Sequence, residues 1–419
     1  MAQLGKDSFG VGGELLAIGK AVELLFERVP CVGDTEPVVL TEAEGRILAA
    51  PLMAPINLPS FDNSAVDGYA VRFADLLAQS ETILSVAGRV AAGHELACQG
   101  TSFGQAVRIF TGAPMPEGFD TVFMQEDCRS LDDGRITLPA GLPKGSNRRL
   151  RGEDLRAGDE ALRQGRRLTP EDLGLAAALG VQTLNVRRKL KAAIFSTGDE
   201  IIAPGQPLRA AAVYDANRFL LQGLLRRLGV TVTDLGILAD DPQTIGAALR
   251  EAANSHDLVL TSGGVSTGEE DHVKAALSDN GSLFFWRLAI KPGRPVAMGT
   301  LSQTPFVGLP GNPVAVFITF VHVVRPLIAA LEGSLFEPAK LLPVVSGFAY
   351  RKKKGRCEFV RVSLRTDADD KIIADKYPVE GAAVLTSLTR THGLVELPED
   401  VTQVSPGDSI RYIDYSLIR

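Results

Sequence analysis

The chain has 419 residues, 45% of them hydrophobic, which is too much for one core and predicts two to four domains. Its formal charge of −6, with basic residues spread along the sequence, argues against a nucleic-acid partner, which would need a concentrated cationic face. Cys31, Cys98, Cys128 and Cys357 stand far apart with no Cys-x-x-Cys pair, so neither a zinc site nor a disulfide scaffold is indicated, and a reducing, cytoplasmic setting is expected.

Residues 1 to about 13 are glycine-rich and read as a mobile leader, without the basic and apolar regions of a targeting segment. Leu15, Ile18, Val22, Leu25 and Phe26 then recur at helical spacing. Between 51 and 150 the pattern changes to short alternating runs separated by glycine and proline, which predicts a β-rich domain. Leu168 to Gly180 is helical again, with Thr169 as N-cap, Pro170 in the first turn and Gly180 as the stop. The β-rich domain is therefore inserted into a discontinuous helical domain, 14–50 and 151–187. From 188 to 335 near-continuous apolar strands alternate with amphipathic helices, the pattern of a doubly wound, mostly parallel sheet whose ligands bind beyond the strand carboxyl ends. Its most apolar stretch, Val314 to Val324, is too short to span a bilayer and is followed by Arg325-Pro326, so no membrane segment is expected. Short strands return over 336–419, with a turn at 367–370, as a small terminal β domain. The fold class is multidomain α/β plus β.

Three segments carry more polar chemistry than turns require. The first is PSFDNSAVDGYAV, Pro59 to Val71, where Asp62-Asn63-Ser64 also reads as an Asx turn. RIFTGAPMPEGFDTVFMQED, Arg108 to Asp127, and RRLRGEDLRAGD, Arg148 to Asp159, follow. In the α/β region Ser262-Gly263-Gly264-Val265-Ser266 lies between a strand and a helix, where backbone amides suit a phosphate or another oxyanion, although a tight turn has the same composition. The adjoining Glu269, Glu270 and Asp271 would repel such a ligand unless a cation intervened, which points to Mg²⁺. Glu200 and Asp271 are its candidate ligands, while Asp240 and Asp241 in the next strand-exit loop have the simpler readings of solvated acid and helix cap. Lys291 and Arg294 in IKPGRP bring fixed charge suited to a phosphate or a tetrahedral dianion. Pro310 and Pro313 in LPGNP shape a strand-to-helix turn whose following amides are free to face an anion.

Together with IFSTGDEI, LTSGGVSTGEEDHV, AIKPGRP and GLPGNPV, the three polar segments resemble the molybdopterin molybdenumtransferase family, called MoeA in bacteria and similar to the gephyrin E domain. The resemblance runs from about Leu15 onward. It implies a central domain like that of MogA and MoaB, a terminal domain resembling a small β-barrel, and insertion of molybdate into adenylylated molybdopterin with release of AMP. It further implies Mg²⁺, a homodimer with its active site between chains, and dealings with the adenylyltransferase and molybdoenzyme maturation proteins. By the same resemblance Asp67, Asp154, Glu200, Asp240 and Asp271 are catalytic, with Glu200 and Asp271 on the metal. Thr111, Ser262, Gly263, Gly264, Ser266, Lys291, Arg294, Pro310 and Pro313 bind substrate. The chain departs from the family at Val66 (usually Met), His272 (commonly Tyr), Arg294 (usually Lys) and Ala382, near where a serine is common. The competing readings are the related adenylyltransferase, which needs neither the first polar segment nor the terminal domain, and a non-catalytic scaffold.

Overall fold

The computed structural model describes residues 15–94, 102–239, 241–263 and 281–418; the expected leader lies outside them. Its centre is a seven-stranded sheet in the order Leu15–Leu16, Gly281–Leu288, Pro295–Leu301, Thr304–Leu309, Leu258–Ser262, Lys191–Thr197, Thr231–Leu238. The last four are mutually parallel, whereas Pro295–Leu301 runs against both its neighbours. The sheet is mixed at this edge because only Ser302 and Gln303 separate the paired strands, too short a link for a parallel crossover.

Alternation within the buried strands sorts side chains to two cores. Ala192 and Ile194 face a core with Leu225 and Phe317, while Ala193 and Phe195 face Ile245 and Leu249 of the helix Pro242–Ser255. The helix Ile18–Arg28 buries Ala21, Leu24 and Leu25 in the first of these cores, so the opening helix packs on the α/β domain. Helical structure there continues from Pro313 to Glu332, 20 residues long and apolar enough to cross a bilayer, with 89% of its most apolar window buried inside the protein. Arg325-Pro326 does not end it. A π turn over Phe320–Val324 changes the hydrogen-bond register just before the proline, whose missing N–H is accommodated at the start of the next α-helical segment, Arg325–Glu332.

His322 on that turn stacks on Phe359 of the terminal domain at 4.4 Å, and its buried Nε2 has no partner among the described residues. Burial, reinforced by Arg325, pushes its pKa down to about 4. A histidine depressed in the folded state favours folding fully above its unfolded value near 6.5, and that contribution is lost as pH falls from there toward 4. His322→Phe is therefore expected to reduce the loss of melting temperature between pH 7.5 and pH 5; an undiminished loss would show that another group sets it.

The two halves of the discontinuous domain are zipped by strands: Thr35–Val39 pairs with Thr183–Arg187, and Leu52–Met53 with Glu160–Leu162. Its helix Pro170–Ala178 has the expected Thr169 cap, completed by Asp172 as a capping box. The insertion is a six-stranded sheet in which Gly68–Val71 lies between Thr121–Met124 and Gln105–Ile109. A side chain at Gly68 would sit 1.7 Å from the Phe123 carbonyl oxygen, so this close strand approach requires glycine. At the C-terminal end, Cys357–Thr366, Ile372–Lys376, Leu342–Ser346, Ser409–Asp414 and Gly393–Leu397 close into a five-stranded barrel. Ile290–Lys291 of the α/β domain pairs with Cys357-Glu358, making a backbone seam between the two domains.

Candidate active site

The three polar segments meet in and beside the inserted domain. Asn63-Ser64 pairs with Arg148-Arg149, Asn63 bridges to Pro114, and Gly152 donates its N–H to the Pro59 carbonyl at 2.9 Å. Asp62 accepts from the Arg151 N–H at 2.7 Å and pairs with Arg148 at 3.2 Å. Asp67 Oδ1 accepts from both the backbone N–H and the hydroxyl of Thr111, each at 2.8 Å. These two donations, with Arg108 adding a smaller attraction, hold the half-buried Asp67 carboxyl below its ordinary range. Asp154 is exposed on the same lobe, its N–H given to the Leu58 carbonyl at 3.1 Å.

A second group of motifs converges at the carboxyl ends of the parallel strands. The Glu200 carboxylate folds back over Gly198, within 3.0 Å of where a side chain there would begin. The Gly263 backbone packs in turn against the Thr197 carbonyl. Asn217 joins this loop to LPGNP: its Nδ2 donates to Ser262 Oγ at 2.8 Å and to the Gly311 carbonyl at 2.6 Å, while Ser262 Oγ reaches the Pro310 carbonyl at 3.4 Å. Asn217 begins the helix Asn217–Arg227, whose start is fixed by buried Arg218 bonding Asp215 at 2.8 Å and Asp234 at 2.6 Å. The Oδ1 of Asn217 is buried and has no partner among the described residues. Asp241 caps the helix Pro242–Ser255 by accepting from Thr244 N–H at 2.8 Å. Asp240, Gly264, Ser266 and Asp271 lie outside the described residues.

Beyond LPGNP the loop meets the barrel. The amide of Val314, the first after Pro313, is not free for an anion as expected; it donates to the Ala382 carbonyl at 2.9 Å, because the barrel docks against this helix end. Gly293 packs so closely on that helix that a side chain would come within 2.7 Å of Thr319 Oγ1, at a φ of 104° that itself favours glycine. A cavity of 390 Å³ lies along the seam, lined by Lys291, Glu358, Arg361, Lys376 and Ala382 among others. Lys291 is shared with the barrel, its Nζ 3.2 Å from buried Glu358, whereas exposed Arg294 has no ion pair given among the described residues. Arg361, 9% exposed, bonds Ser387 Oγ and the Gly381 carbonyl, each at 3.0 Å, but no carboxylate. Burial disfavours its charge and lowers its pKa, an environment that an oxyanion in the cavity would relieve.

Asn217 and Arg361 escaped sequence reasoning. Arg361 had a signal, a cation at a fully buried position in the apolar strand CEFVRVSLRT. Asn217 had none, since Tyr214-Asp215-Ala216-Asn217 resembles any helix start. Asn217→Ala is expected to weaken substrate binding about tenfold through loss of the bridge while leaving the fold intact, read by ligand titration beside circular dichroism. Unchanged affinity would make the asparagine a spectator.

A α/β sheet with polar loops at its strand ends, a cationic seam and an inserted acidic lobe defines a multidomain enzyme that handles anionic substrates. Comparison sharpens that class. Residues 16–180 match the MoeA N-terminal region (domain I and II), 193–330 the probable molybdopterin binding domain, and 343–415 the MoeA C-terminal region (domain IV). The chain is 41% identical over 400 residues to the molybdopterin molybdenumtransferase of Haemophilus influenzae, covering 94% of this chain and 98% of that one. It is 34% identical to molybdopterin molybdenumtransferase 2 of Mycobacterium tuberculosis, over 90% and 94% of the two chains. The crystal structure of the molybdopterin biosynthesis moeA protein from Pyrococcus horikoshii superposes with a TM-score of 0.81 at 29% identity, covering 96% of this chain and 100% of that one. The chain belongs to the molybdopterin molybdenumtransferase family, the enzymes of a late step in molybdenum-cofactor biosynthesis.

Proposed function

We propose that the protein inserts molybdate into the dithiolene of adenylylated molybdopterin and releases AMP in the cytoplasm. The observation that carries this reading is the continuous run from the Ser262 loop through Asn217 and LPGNP to the cationic seam cavity, which sets a phosphate-type loop beside a pocket with room for an oxyanion. Ser262 and Gly263, continued by Gly264 and Ser266, hold the adenylyl phosphates, and Pro310 and Pro313 shape the wall facing the oxyanion. Lys291, Arg294 and Arg361 receive molybdate; tungstate, with nearly the same size and charge, satisfies the same groups.

Mg²⁺ fits the donor chemistry: the exposed Glu200 carboxylate is a hard oxygen ligand with no side-chain hydrogen bond or ion pair among the described residues, beside the phosphate-type loop. Glu200 and Asp271 would hold it, and when bound it would neutralise charge on the phosphoanhydride.

The protein acts as a homodimer. The side-chain bonds of Asp62, Asp67, Thr111 and Arg148 stay within their own lobe, and in the proposed dimer that lobe faces the strand-end loops of a second copy. Asp67 and Asp154, with Asp240 from the sheet side, orient or deprotonate the nucleophile. The adenylyltransferase reading leaves the inserted lobe and barrel without use, and the scaffold reading leaves the oriented Asp67 carboxylate without use. The deciding assay follows AMP release from adenylylated molybdopterin with and without molybdate. Molybdate-dependent release is expected; AMP incorporation from ATP with no release would favour the adenylyltransferase, and neither activity the scaffold.

A further inference from the structure

At the opposite end of the sheet, by the amino ends of the strands Lys191–Thr197 and Thr231–Leu238, seven cations and two carboxylates line a cavity of 280 Å³. Three of the cations are neutralised. Arg188 makes a bidentate pair with Asp257 at 2.7 Å and bonds Asp34 at 2.9 Å. Arg167 pairs with Glu332 at 2.5 Å and also donates to the Gly45 and Leu228 carbonyls, and Arg46 pairs with Glu36. Arg187, Lys189, Arg226 and Arg227 have no carboxylate partner given among the described residues, and Glu44 is the one further acid on the wall.

Arg226 and Arg227 close the last turn of the helix Asn217–Arg227, where cations complement the helix dipole, and this alone accounts for a pair of surface arginines. It does not account for Arg187, the last residue of the strand Thr183–Arg187, and Lys189, in the connector after it, being brought to the same concavity. These four, opposed on this wall only by Glu44, set an excess of positive charge around one small hollow in a chain of net charge −6, and an anion among them would relieve their mutual repulsion. A second cavity of 480 Å³ shares Arg167, Arg227 and Leu228 with the first, and its wall mixes Ile328, Leu335 and Phe336 with Arg166, Arg325 and Glu337. The geometry points to a second ligand site, remote from the strand-end loops, for a phosphorylated small molecule: its phosphates lie among the arginines, whose planar forks suit them, and its organic part extends into the adjoining cavity of mixed polar and apolar lining. The first cavity is built from the discontinuous domain, the connector and the α/β domain, so an occupant braces their junction.

The test is calorimetric titration of the full chain with inorganic pyrophosphate and, separately, with ADP at constant ionic strength. Binding by the parent chain is expected, with ADP tighter than pyrophosphate if the second cavity takes the organic part and equal affinity if phosphate alone is recognised. Arg226→Ala/Arg227→Ala, exposed changes to a strong helix former, and Lys189→Ala are each expected to lose about 10- to 100-fold in affinity while retaining AMP release. Asn217→Ala reports on the strand-end site, and its affinity at the basic site is expected to stay at the parental level. Loss in the arginine and lysine variants with retention in Asn217→Ala supports the site; no binding by the parent chain, or any other pattern among the variants, overturns it.

Discussion

Asp67→Ala is expected to lower turnover by about 100-fold or more, the range for an oriented acid or base, without unfolding the protein. The side chain is half-buried at the surface of its lobe, so its removal opens no enclosed cavity, and Oδ1 is held by Thr111. Thr111→Val separates orientation from chemistry. It keeps the backbone donor and removes the hydroxyl, so the Asp67 pKa rises toward its ordinary value and the acid limb of the rate profile moves up in pH. An acid limb unmoved by Thr111→Val would assign it to a different group. Mixing Asp67→Ala chains with Asp271→Ala chains tests the shared site: random re-pairing of dimers should restore about a quarter of parental activity. A mixture as inactive as either parent would mean that each chain carries its own complete site.

Glu358→Ala is expected to destabilise the docking of the barrel by about 2–3 kcal/mol, at the lower end for breaking a buried ion pair because its cationic partners are partly exposed. Glu358 is 1% exposed and accepts from Arg356 and Tyr350, each at 2.8 Å, and from Lys291 at 3.2 Å. Burial, and after it the bond to Glu358, pushes the Tyr350 hydroxyl well above its ordinary pKa, so the tyrosine stays a donor at working pH. Because Lys291 also belongs to the seam strand Ile290–Lys291, losing the carboxylate unties the α/β domain from the barrel and frees a cation into the cavity. Glu358→Gln, which retains an acceptor, should cost less than the alanine change. Urea unfolding followed by tyrosine fluorescence reads both; a midpoint unchanged in Glu358→Ala would show that the seam is held by backbone pairing alone.

Much of this protein is decided by local chemistry that one sequence displays. Thr169-Pro170 with Gly180, and Asp241 before Pro242, announce their helix ends because capping uses only neighbouring residues. The buried strands at Lys191, Leu258 and Thr304 announce a covered sheet because both faces must be apolar. The polar loops at their ends, and the excess of acids, amides and hydroxyls from Pro59 to Val71, mark a site for the same local reason. Tertiary structure decided what depends on distant partners. That Asp67 meets Thr111, that Lys291 belongs to Glu358, and that Val314 gives its amide to Ala382 are pairings across 44, 67 and 68 residues, with no periodicity to reveal them. The helix running through Arg325-Pro326 likewise rests on a π turn and on burial among the central helices and the barrel, which override the proline's local signal. Asn217 and Arg361 acquire their places only when the strand ends and the barrel close around them, since a hydrogen bond or a buried charge has no value until folding removes the water that would otherwise satisfy it.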